Sequence, residues 1–237
     1  MSKLRFYYGT DANFITSSGY SIQIINEKRS NFEAFSIHFT PGKLQELNDL
    51  YDQITTIPSD KVFINILAEA SHDVKIEHDI CCEFFQHSKI DIEMAFSNDE
   101  LVWNQFGFND YEKARKSPGN MFIFLTDFDT MAVRYKDTLL VNGWTEEKFA
   151  TILEHRDKLK AAMNRQNNRI LERRRATENR VEILNKLYEK LALYFKAAQI
   201  IFEEDENLLK RFRFPIPSSL LRLNNIEEEV ISEGTID

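Results

Sequence analysis

The chain has 237 residues, with 30 Lys or Arg against 38 Asp or Glu for a formal charge of -8, and only 7 Gly and 5 Pro. Average usage puts about 7% Gly and 5% Pro into a chain, so both turn formers are depleted. That shortage excludes collagen-like and Gly/Ser-linker classes and disfavours sandwiches and barrels, which need a tight turn about every 8–12 residues. Long, rarely interrupted helices remain.

The 43% hydrophobic content and 19 Phe supply material for a core. A chain of this length buries roughly 70–75% of the surface its unfolded form exposes. The longest apolar runs are a few residues, as at Met121 to Leu125, too short to span a membrane. Residues Met1 to Gly9 lack the apolar stretch of a secretory signal, so the expected location is cytoplasmic. Cys81 and Cys82 are adjacent, and on a helix their side chains diverge by about 100°. An internal disulfide is not expected, and two free thiols suit a reducing compartment.

In chain order, Thr10 or Asp11 caps a first helix with Phe14, Ile15, Ile22 and Ile25 on its buried face. Ser17-Ser18-Gly19 interrupts it. Ile22-x-Ile24 followed by Phe35-x-Ile37-x-Phe39 also alternates as a hairpin would, so residues 20–40 read as helix with a hairpin as the alternative. Thr40, with Pro41 at the first helical position, opens a helix through Leu44, Leu47, Leu50, Tyr51 and Ile54 that ends before Pro58. Ser59 or Asp60 caps a long segment from Phe63 to Phe96, followed by a short piece over 100–106 and a loop containing Gly107, Asn109 and Asp110. After Pro118, residues Phe122 to Leu140 predict one helix that stops at Asn142-Gly143.

From Thr145 to Asp205 roughly 60 residues pass without Gly or Pro. One helix of that length reaches about 90 Å, too long for a compact domain of this size. Its heptad seams are apolar at both ends, but from about Asn164 to Arg180 only Ile170, Leu171 and Ala176 are apolar. A stretch polar nearly all round is a break or a solvated elbow, or else part of a protruding pair; the break or elbow is the preferred reading. Phe212, Phe214, Pro215, Ile216 and Pro217 read as an extended strap, and residues 218–237, with Glu227-Glu228-Glu229, as a flexible acidic tail.

From Arg156 to Arg180 there are nine Lys or Arg against three Asp or Glu, a net of +6 that leaves -14 for the rest. Arg165, Arg169, Arg173, Arg174, Arg175 and Arg180 form a basic stripe and are the candidate partner-binding residues. Guanidinium forks suit carboxylates and phosphates. No aromatic lies between Phe149 and Tyr188 to stack a base, so an acidic protein surface is the favoured partner over nucleic acid.

Glu69 to His87 concentrates metal-capable side chains, and Glu69-Ala-Ser-His72 has the Glu-x-x-His spacing of di-iron bundles. Those sites need the motif on two helices, and neither His38 nor His155 has Glu three residues before it. Glu83 and His87 read as a surface ion pair instead. No Gly-rich phosphate loop and no G-x-S-x-G elbow is present. No catalytic residue, metal ligand or cofactor is therefore assigned.

Gly143-Trp144-Thr145, followed by Arg173, Arg175, Thr177, Arg180, Asn185, Leu187-Tyr188, Ala198 and Ile201-Phe202, resembles helical-bundle proteins of similar length in Bacteroidota genomes. Phe106-Gly107-Phe108 with Tyr111 and Ala114-Arg115 belongs to the same resemblance. It implies an all-helical bundle and no activity.

The expectation is an all-α protein: one up-and-down antiparallel bundle of five to six helices over residues 1–217, with a long C-terminal helix or helix pair, then the tail. Its expected role is non-enzymatic and structural or scaffolding, through helix-mediated oligomerisation or docking of a protein partner, without a membrane. The alternatives are a metal-binding, ferritin-like bundle and a nucleic-acid-binding protein using the Arg156 to Arg180 stripe.

Overall fold

In a computed structural model, residues 4–214 are described, and they are all-α, without a strand. The helices are α1 (Asp11–Glu27), α2 (Arg29–Phe35), α3 (Pro41–Thr56), α4 (Asp60–Ala95), α5 (Glu100–Gln105), α6 (Tyr111–Ala114), α7 (Pro118–Arg134), α8 (Lys136–Val141), α9 (Glu146–Ile201) and α10 (Glu206–Leu209). Pro215, Ile216, Pro217 and the acidic tail lie outside the described residues.

Local signals set most boundaries. The Thr10 hydroxyl accepts from the Asn13 amide, that of Thr40 from Lys43 and that of Ser117 from Asn120, each meeting a donor that a helix start leaves unpaired. Such caps each contribute about 0.5–2 kcal/mol. Gly143 adopts φ +94° after α8, and the Trp144 amide bonds back to the Leu139 carbonyl at 3.0 Å, the Schellman closure that Asn142-Gly143 predicts.

Residues 20–35 lie in α1 and α2 and residues 36–40 form the turn before α3, so the hairpin alternative is not made. The single helix expected over 118–140 divides at Tyr135, whose hydroxyl donates to Gln105 Oε1 at 2.7 Å and whose ring packs edge-on against Phe96 at 5.2 Å. The loop after Gly107 contains the short helix α6. Of the break or solvated elbow preferred within residues 145–205, the break is not made, and the C-terminal segment is a long helix and not a helix pair: α9 is continuous from Glu146 to Ile201. With neither Gly nor Pro, nothing interrupts its i to i-4 bonds.

The described residues group into two compact units, Met1–Pro58 with Arg175–Asp237, and Ser59–Arg174, and α9 contributes to both. The reason is the interruption read in its heptads. Between Ala162 and Val181 no α9 residue is buried, so two separate apolar clusters form.

In the first unit Phe14, Ile22 and Ile25 of α1, Phe32 of α2, and Leu44, Leu47 and Ile54 of α3 pack with Leu184, Leu187, Leu191, Tyr194 and Ala198 of α9. Phe212 of the expected strap is buried in this cluster, and the Phe214 ring stacks on Tyr188 at 4.2 Å. The Asn185 amide accepts from the Phe6 backbone N–H and donates to the Leu4 carbonyl, pinning the N-terminal segment.

In the second unit α4 buries Ala70, Val74, Cys81, Phe85, Ser88 and Ile92, a spacing that keeps one helix face inward. Phe85 lies among the rings of Phe108, Tyr111, Phe124 and Phe128. Trp144, Phe149, Ile152 and Leu159 close the cluster.

Candidate functional site

The N-terminal part of α9 lies antiparallel to α4 in the second unit, and a ladder of polar contacts fixes the register. Lys148 pairs with Asp91; the Cys81 thiol contacts the His155 carbonyl at 3.7 Å; Gln166 Nε2 donates to Ser71 Oγ at 3.0 Å. At the far end Arg173 donates through Nε and Nη2 to the two Asp60 oxygens, both at 3.0 Å, the bidentate geometry that a guanidinium favours. The neighbouring carboxylate raises the Arg173 pKa further and keeps it charged.

These contacts divide the arginine stripe. In the second unit, Arg173 is a register pin between helices, while Arg165 and Arg169 are exposed and Arg169 donates to Glu172 one turn on at 2.6 Å. Arg174 is exposed as well. In the first unit Arg180 donates to the Pro58 carbonyl, meeting an acceptor beyond the end of α3, and Arg175 is exposed. Sequence spacing grouped Arg165, Arg169, Arg173 and Arg180 with Arg174 and Arg175 beside them, but the partners of Arg173 and Arg180, Asp60 and Pro58, lie more than a hundred residues away in the chain. No local signal marks them.

The second unit also resolves the Cys and His region. Cys81 is fully buried, and burial pushes its thiol up to about 12; Cys82 is raised by the same cause. Thiolates are the nucleophilic form, so neither group is activated. Cys82 Sγ faces His78 Nε2 at 3.9 Å, and its carbonyl accepts from the Tyr111 hydroxyl. Glu69 and His72 are exposed on the outer side of α4, and Glu83 and His87 are exposed without forming the expected ion pair. Among the described residues no group of three or more His, Cys, Asp or Glu is placed to hold a metal ion.

His155 contacts the Phe84 ring edge-on at 5.0 Å, and its Nδ1 is buried without a hydrogen-bond partner. Burial lowers its pKa, the charges of Glu154 and Glu77 opposing and that of Lys158 assisting. The native state thus binds fewer protons at this residue than the unfolded chain between the folded value and the ordinary value of about 6.5. Stability is expected to be intact above that ordinary value and to decline as pH falls through the window below it. Denaturant titrations across pH 5–8 check this: His155→Gln should show a shallower decline than the wild type, and identical slopes would remove His155 as the cause.

The fold and this geometry define an all-α protein with an exposed, arginine-bearing helix surface. Among the described residues no helix is long and apolar enough to cross a membrane. No family model, curated protein or solved structure shows a significant match to the chain.

Proposed function

We propose that the protein is a non-enzymatic structural or scaffolding protein that works through helix-mediated association, with the α9 surface of the second unit around Arg165 and Arg169 as its contact. One observation carries this reading. Ile170 and Leu171 stand 47% and 49% exposed beside those arginines, in a part of α9 that buries no residue after Ala162. A helix polar nearly all round gains little from packing within its own chain, and a partner surface supplies that packing.

The partner's chemistry follows from the charge. Guanidinium groups pair best with carboxylates, and outside Arg156 to Arg180 the chain carries -14. A second copy therefore offers a complementary surface, and self-association is the first form to test. Light scattering on eluting protein at low salt is expected to give a mass above the 27.9 kDa of one chain, rising with concentration. Added salt should reverse it by screening, and Arg165→Glu with Arg169→Glu should return the single-chain mass. A single-chain mass at every concentration and salt level counts against the reading.

A further inference from the structure

A cleft of about 450 Å³ opens in the second unit between the turn after α5, α6 and α7, within the usual size range for small-molecule sites. Its floor is aromatic: Phe106, Phe124 and Phe128 line it, each at least nine-tenths buried and locked by ring contacts with their neighbours. Gly107 shapes one wall. It adopts φ +81°, and a Cβ there would stand 2.7 Å from the Phe124 ring, so a side chain would collide with the floor.

The rim carries three charges, Asp110 and Lys113 at α6 and Asp127 on α7. All three are exposed, and among the described residues none forms an ion pair, although Arg115 and Glu112 beside them pair with each other at 3.3 Å. Ile123, also on the rim, is 59% exposed. The cleft thus joins an apolar floor to two free carboxylates and one free ammonium.

We infer that this cleft binds a small zwitterion with an apolar body, of the class of free amino acids with large apolar side chains. The ligand's ammonium group meets Asp110 and Asp127, its carboxylate meets Lys113, and its apolar part covers Ile123 and the phenylalanine floor. Charge-assisted hydrogen bonds supply orientation, and the aromatic floor supplies burial. This inference is independent of the association surface on α9.

Calorimetric titration of the full chain with phenylalanine, phenylalaninamide and 3-phenylpropionate tests it. Phenylalanine is expected to bind. Asp110→Asn with Asp127→Asn should weaken it about tenfold or more, and Lys113→Met should weaken phenylalanine while leaving phenylalaninamide unchanged, since the amide lacks the carboxylate. Phenylpropionate, lacking the ammonium, should bind most weakly. The three positions are exposed, so the variants should keep the wild-type circular dichroism. Absence of heat with phenylalanine, tryptophan and leucine, or equal affinity in all variants, overturns the proposal.

Discussion

Replacing Phe85 by alanine is expected to destabilise the second unit by about 3–5 kcal/mol, the range for removing a fully buried aromatic ring. Phe85 has no exposed surface. Its ring meets Phe124 at 4.6 Å and Phe128 at 5.3 Å, both edge-on, and Tyr111 at 4.7 Å, so one truncation removes ring contacts to two helices at once. The cavity would not refill, because its walls are themselves pinned: Phe124 by its ring contacts with Tyr111 and Phe128, and the Tyr111 hydroxyl by Gln86 and the Cys82 carbonyl. With two separate cores, a single melting temperature does not define one free energy, so hydrogen exchange on peptides from α4 and α7 is the suitable measurement. Protection there should fall steeply in Phe85→Ala, and Phe85→Leu should recover most of it. Unchanged protection would show that the ring cluster contributes little.

Phe32→Ala should have a comparable effect on the first unit, for a different local reason. The seven-residue α2 has no side-chain cap, and Phe32 is its one buried residue. So short a helix does not persist without tertiary packing. The ring makes contacts with Tyr194 at 5.2 Å, Phe39 at 5.7 Å, Phe202 at 5.8 Å and Phe212 at 6.1 Å, tying α2 to α9 and to the segment after α10. A loss of about 3–5 kcal/mol is expected, with exchange protection disappearing across Arg29 to Phe35 before the rest of the unit. Retention of protection in that segment would mean that α2 is held by contacts other than its phenylalanine.

Helix starts were legible where a capping hydroxyl or a proline stood at the first turn, as at Thr10, Thr40-Pro41 and Pro118. Thr40-Pro41 and Asn142-Gly143 carry their conformational preferences within a few residues, so no tertiary information was required. Tyr135 was not legible. Nothing in its neighbours stops a helix, and the interruption coincides with a hydrogen bond to Gln105 and ring contacts to Phe96 and Phe106, all distant in the chain. The arginine stripe was half legible. Its charge and spacing are properties of the sequence, but that Arg173 and Arg180 are committed to Asp60 and Pro58 depends on which helix ends meet. The cleft left no sequence signal, since Asp110, Lys113 and Asp127 sit among many exposed charges and only the packing of α6 on α7 assembles them.

The sequence by itself determined an all-α fold, the boundaries punctuated by Pro, Gly and capping hydroxyls, and the charge reversal between Arg156 and Arg180. Each is a local property, set by backbone propensity and by counting charges. Tertiary structure decided that the polar middle of α9 continues as helix while the apolar side chains gather into two cores, and it decided which arginines are spent on internal contacts. Those outcomes depend on pairing groups far apart in the chain, where the free energy of packing, and not the preference of any short segment, selects the partner.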